Sequence, residues 1–187
     1  MMTPDDGGNH GNTQASQFPA RIVIRDFCGD LRKHRAIDSI TALPKITGAS
    51  YSVQFHKGDT FITNKNRVEY FSGLLTSPEQ VILLDPDNGF EPEKSKKEKH
   101  VCYDDISNIL DQISVDSVIS VFHHHRRKSF IEDFARIKER LYFGSCTAIY
   151  WHSLMFVAAA KSDITINRVV TANQSYASSN PAVKVII

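Results

Sequence analysis

QVILLDPDNGFE, residues 80–91, is the stretch on which the fold reading turns. Four consecutive apolar residues, Val81 to Leu84, read as a strand buried on both faces, the habit of a parallel sheet. The run stops at Asp85-Pro86-Asp87-Asn88-Gly89. Pro86 has no N–H to give to a sheet ladder, and Asn88-Gly89 is turn chemistry. Two carboxylates therefore stand just past the end of a buried strand. In open α/β sheets ligands bind outside the carboxyl ends of the strands, so this turn is the first candidate site. The plainer reading is that Asp85 and Asp87 only cap and shape the turn.

Downstream, Phe90 to His100 (FEPEKSKKEKH) is highly charged and carries Pro92, which predicts an exposed loop. A helix capped by Asp104 and running to about Ile113 buries Ile106, Ile109, Leu110 and Ile113. Ser117 to Phe122 (SVISVF) is a second buried strand, ending at His123-His124-His125-Arg126-Arg127-Lys128. The next helix, Ser129 to Phe143, buries Phe130, Phe134, Ile137 and Leu141, and Gly144 stops it. Thr147–Trp151 and Leu154–Ala159 form a hairpin around His152-Ser153. A helix over Asp163–Tyr176 and a strand over Val183–Ile187 complete the chain.

Upstream, residues 1–17 are polar and glycine-rich and predict a flexible arm, leaving 18–187 as a single α/β domain. Arg21–Arg25 (RIVIR) reads as a strand, Leu31–Leu43 as a helix ended by Pro44, Tyr51–His56 as a strand and Asn64–Leu75 as a helix. Strands and helices thus alternate along the chain. Such alternation implies a three-layer, mostly parallel sheet with an antiparallel C-terminal edge, in which Val81–Leu84 and Ser117–Phe122 are parallel neighbours.

Composition narrows the function classes. The 187 residues are 41% hydrophobic and 23% charged, with a formal net charge of +1. That balance suits a globular protein and argues against one that coats nucleic acid generally; any basic surface is local. Cys28, Cys102 and Cys146 are widely spaced and form no CxxC pair, which fits a reducing, cytoplasmic setting. No apolar run reaches the roughly 18 residues of a membrane span.

Three constellations carry possible chemistry. Asp85 and Asp87, near Glu91 and Glu93, have the oxygen chemistry to share Mg²⁺ or to divide acid and base roles. His123, placed at the end of the neighbouring strand, is an acid–base candidate, and Arg126 and Arg127 are candidates for clamping phosphate. If this run shares a pocket with the carboxylates, they favour its imidazolium form. Lys94, Lys96, Lys97 and Lys99 form a lysine loop beside the turn, suited to a nucleic-acid backbone or simply to solubility.

Three segments resemble the Rossmann-like methyltransferases that use S-adenosylmethionine. Ile22–Gly29 (IVIRDFCG) looks like their first strand and cofactor loop. Phe55–Phe61 (FHKGDTF) looks like the strand leading to a Gly-Asp pair, and Leu83–Gly89 (LLDPDNG) like the strand end of the amino-methylating members. The resemblance implies that Asp26, Gly29 and Asp59 bind S-adenosylmethionine. It implies that Asp85 orients an acceptor amine, with Asn88 beside it, on nucleic acid or a nucleotide. The sequence departs from that pattern in lacking a second glycine after Gly29 and in having Asp87-Asn88 for Pro-Tyr. The DPDNG segment with its lysine loop also resembles an uncharacterised bacterial family, in which Met1–Gly11 would lie inside a longer protein. The alternatives are a metal-dependent phosphoester hydrolase holding Mg²⁺ on Asp85 and Asp87, and a non-catalytic binding module.

Overall fold

The computed structural model describes residues 16, 20–34, 37–56, 60–74, 78–94, 97–124, 129–141 and 144–187. The chain divides into two compact units, Asp5–Asp59 in one and Thr60–Ile187 in the other.

In the first unit, Ile22–His34 is a helix, α1, rather than the expected strand and loop. Its half-buried apolar residues Ile24, Phe27 and Leu31 recur at i, i+3 and i+7, and this longer helical period overrides the short apolar run of RIVIR. A 3-10 turn over Ile37–Ala42 leads into α2, Leu43–Thr47. Pro44 lies in the first turn of α2, where its missing N–H costs nothing, so it opens a helix instead of closing one. Gly48, at φ +68°, ends α2, its N–H and the next turning back to Lys45 and Pro44 carbonyls. Residues 51–56 pair with no strand among the described residues.

The second unit holds α3 (Arg67–Tyr70), β1 (Val81–Leu84), α4 (Tyr103–Gln112), β2 (Val118–His124), α5 (Phe130–Arg140), β3 (Ser145–Trp151), β4 (Leu154–Ala160), α6 (Asp163–Ser179) and β5 (Lys184–Ile186). The sheet order is β1-β2-β4-β3-β5. β1 and β2 are parallel neighbours, with Val81 opposite Val118 and Leu84 opposite Val121. The other pairings, β2–β4, β3–β4 and β3–β5, are antiparallel. This mixed, mostly antiparallel sheet overturns the expected Rossmann-like one.

The reason lies in the hairpin. β3 and β4 are joined by the two-residue turn His152-Ser153, with His152 in the left-handed region at φ +53°. β4 returns into the gap between β2 and β3, so the helix α5 between those strands does not make them neighbours. Only β1–α4–β2 gives an adjacent parallel pair. The sheet is an α/β layer all the same: α3, α4 and α5 share a core with Ile119, Val121, Met155 and Val157, whereas Ile166 and Val170 of α6 pack on Val118, Ala158 and Ala160. Among the described residues no helix is long and apolar enough to cross a membrane.

The helices start where local chemistry places them. The Ser129 side chain accepts the Glu132 N–H at 3.3 Å, and the Glu132 carboxylate accepts the Ser129 N–H at 3.0 Å. This reciprocal cap satisfies two N–H groups that a helix start leaves over. Ser129→Ala is expected to cost about 0.5–2 kcal/mol, read as a lower urea midpoint with an unchanged slope.

Candidate functional site at the end of strand β1

The turn after β1 is tied to the segment that precedes α4. The Asn88 N–H donates to the Lys99 carbonyl at 3.1 Å, Val101 N–H to the Gly89 carbonyl at 3.0 Å, and Glu91 N–H to the Val101 carbonyl at 2.9 Å. Phe90 and Val101 form an isolated parallel bridge, and both are fully buried. The expected exposed loop is therefore pinned at both ends. Arg67 holds its far side: one guanidinium nitrogen donates to the carbonyls of Glu98 and His100, both at 3.1 Å. The other donates to Asp105 at 2.5 Å. Asp105 also accepts the Cys102 N–H at 2.7 Å, at the start of α4, a role the sequence reading assigned to Asp104. Burial raises the Asp105 pKa, while the Cys102 N–H and the Arg67 charge pull it back.

Most acids of the rim have structural work. Glu91 is buried, accepts the Tyr103 N–H at the first turn of α4 at 3.0 Å, and faces Arg140 at 3.8 Å. Asp87 is exposed and pairs with Lys99 at 3.4 Å.

His123 has a structural place as well. It is fully buried, its Nδ1 accepts the Phe90 N–H at 3.2 Å, and its Nε2 lies 3.4 Å from Asp133 of α5. A nitrogen that accepts an N–H carries no proton, so the imidazole here is the Nε2–H tautomer donating toward Asp133. Asp133 is bonded in turn by Arg136 at 3.3 Å, which also reaches the Glu91 carbonyl at 3.3 Å. This network fastens the turn to α5 from inside the core. His123 thus does not share the water-facing rim with Asp85.

Asp85 differs from its neighbours. It is exposed at the strand end, and among the described residues its carboxylate makes no hydrogen bond and no ion pair. The protein crowded against one side of it raises its pKa above the ordinary carboxylate value; the His124 imidazole acts in the opposite sense, and Asp87 adds to the rise. Its electrostatic partner on β2 is therefore His124, which is exposed, and not His123. The sequence reading grouped these histidines without separating their faces.

The sign of the pH effect follows. A carboxyl whose folded pKa exceeds its unfolded one binds more protons when folded, so stability falls as pH rises from the unfolded value of about 3.9 through the folded one. Asp85→Asn is expected to leave stability at pH 7 unchanged or higher and to flatten that decline. Thermal melts from pH 3 to pH 8 check it; a loss at pH 7 of the size of a missing cap would instead make Asp85 a turn-former.

Of the remaining candidates, Asn88 is half-buried with its backbone spent on Lys99. Asp59, Arg126 and Arg127 lie outside the described residues. Asp26 and Gly29 fall inside α1. In a helix interior the backbone N–H groups are spent on carbonyls four residues earlier, so these positions do not form the open loop that would cradle S-adenosylmethionine. They do not fit that cofactor. For Mg²⁺, the Lys99 ammonium already occupies the neighbourhood of Asp87, and among the described residues no group of three or more metal-ligating side chains converges. No protein family, curated protein or solved structure matches the chain.

Proposed function

We propose that the chain is a binding protein for an amino-bearing ligand of the nucleotide or nucleic-acid class, received at the end of β1 by the Asp85 carboxylate. The observation that carries the reading is that Asp85, unlike Asp87 and Glu91, has no bonded partner among the described residues and stands directly at the end of the strand. An acceptor left open to water at a strand end is a ready hydrogen-bond partner for an amino group, and the rigid turn behind it fixes its direction. The His124 imidazole on the neighbouring strand favours the ionised form of that carboxylate. Asp26 and Gly29, inside α1, offer a methyl donor no open loop.

The test is a ¹H–¹⁵N titration with cytidine and adenosine 5′-monophosphates, followed in the wild type and in Asp85→Asn. Shifts confined to residues near 85–89 and 124, lost in the variant, are the expected result. The absence of shifts with either nucleotide at millimolar concentration sinks the reading. A separate titration with MgCl₂ alone addresses the hydrolase alternative: saturable shifts at both Asp85 and Asp87 would favour it.

A further inference from the structure

The hydrogen bond that fixes the turn behind Asp85 has a titratable acceptor. The Phe90 N–H donates to Nδ1 of His123 at 3.2 Å. Nδ1 accepts only while it carries no proton. Once it is protonated, two N–H groups face each other across the same gap. The ring has no room to withdraw, because it is fully buried and the backbone of Gly89 presses on it so closely that a Cβ there would overlap Nδ1. Turning the ring over brings no relief either, since Nε2 is engaged with Asp133 at 3.4 Å. What is left to move is the turn.

The charges around the ring decide what happens once it has moved. Asp133 of α5 is an opposite charge beside Nε2 and favours the imidazolium. Arg136, one helical turn on, shares that carboxylate at 3.3 Å and opposes it in part. Glu91, on the turn segment itself, is directed to the Tyr103 N–H and to Arg140. β4 brings the apolar Met155 opposite His123. The other ties of the turn segment are the backbone bonds of Asn88, Gly89 and Glu91 to residues 99–101 and the Arg136 bond to the Glu91 carbonyl. None of these changes its protons between pH 5 and 8, the range that an imidazole reads.

We propose that His123 is an acid-released latch: proton uptake at Nδ1 detaches Gly89 and Phe90 from β2, and the turn that aims Asp85 loosens with them. The latch stands on the surroundings of His123 alone; its effect on ligand rests on the Asp85 reading above. Linkage gives the direction. The closed form needs a neutral imidazole, and the open form accepts a proton. The advantage of the closed form is therefore full above the ordinary imidazole value of about 6.5 and is lost as pH falls below it. Each further unit of acidification multiplies the ratio of open to closed molecules by up to about tenfold.

NMR of the ¹⁵N-labelled full chain from pH 7.5 to 5.0 tests this. Imidazole ¹H–¹⁵N correlations read the state of His123, and amide signals read the turn. At pH 7.5 the Nε2–H tautomer is expected. On acidification the His123 ring and the amides of Gly89 and Phe90 are expected to titrate together, with a midpoint below 6.5, while the amides of Ala148 and Val157 in β3 and β4 hold their positions. His123→Asn puts an amide oxygen near the place of Nδ1 and accepts the Phe90 N–H at every pH, so the amide titration is expected to vanish. Asp133→Asn removes the charge that favours the imidazolium and is expected to move the midpoint at least one pH unit lower. Asp85→Asn is expected to leave the midpoint unmoved. Shifts caused by cytidine, which carries no phosphate to titrate, are expected to fade in step with His123 protonation. If cytidine causes no shifts at any pH while the ring and amides still titrate together, the Asp85 reading fails and the latch stands. The latch is overturned if His123 stays neutral to pH 5.0, or if it titrates while Gly89 and Phe90 stay fixed. It is overturned also if the β3 and β4 amides are lost at the same midpoint, which is global unfolding, or if the amide titration persists in His123→Asn. Should that variant lack native circular dichroism, an unmoved midpoint in Asp133→Asn overturns it instead.

Discussion

Arg67→Ala is expected to lower the unfolding free energy by about 3–5 kcal/mol, the range for removing one partner of a buried ion pair. Both side chains are out of water, Arg67 9% and Asp105 2% exposed. Without the guanidinium, Asp105 keeps only its bonds from Cys102, the N–H and the side chain, against its burial, and the carbonyls of Glu98 and His100 lose their donor. The deficit has a pH signature. Burial already raises the Asp105 pKa, and losing Arg67 raises it further. The folded variant therefore binds a proton that the unfolded chain, at about 3.9, has released. Its stability falls as pH rises through that window, so the gap from wild type narrows at pH 4 and is full at pH 7. Urea unfolding at the two pH values measures this. Arg67→Lys is expected to recover little, because a single ammonium does not reproduce the planar fork that serves Asp105 and two carbonyls. An equal deficit at both pH values would assign the loss to packing instead of charge.

Gly89→Ala is expected to cost about 3 kcal/mol. Gly89 sits at φ +70°, where an alanine pays roughly 1–2 kcal/mol in strain. A Cβ there also overlaps Nδ1 of His123 and stands 3.2 Å from the His123 Cα. The ring has nowhere to go, since it is fully buried and held by Phe90 on one side and Asp133 on the other. Displacing it leaves the buried Phe90 N–H without that acceptor, worth about 1–3 kcal/mol. Differential scanning calorimetry checks the loss. The change at the His123 ring is expected to appear in its imidazole NMR signals, which a substitution felt only through backbone strain would not move.

The elements from residue 81 onward were largely legible. Val81–Leu84 and Ser117–Phe122 read as strands from their apolar runs, and they are parallel neighbours. Ile106, Ile109, Leu110, Phe130, Phe134 and Ile137 were legible as buried helix faces from their 3.6-residue period. The sheet order was not, because alternation of strands and helices says which elements exist and not where a returning hairpin inserts. RIVIR misled because three apolar residues between two arginines fit the start of a helix as well as a strand. At the site, the position of Asp85 past a strand end was legible, but the phase of β2 was passed over. Ser120 breaks the apolar run on the even side, whereas Ile119 and Val121 are fully buried on the odd side. That parity sends His123 inward and His124 outward, and it was available in the sequence. The bond from Phe90 to His123 was not, since it depends on how closely a glycine lets two backbones approach.

The insertion of β4 between β2 and β3 also bears on the order in which the molecule can assemble. During synthesis, β1, α4 and β2 emerge first and can pair at once, yet β2 then presents a bare edge. β3 follows but cannot cover it, because its place is one strand further out. Only when residues 154–160 have emerged and folded back does a single stroke join both halves of the sheet. Until then the facing edges of β2 and β3 stay bare and can recruit another chain, so the last-formed strand of the hairpin acts as the keystone, and its delay marks the period of greatest exposure to misassembly.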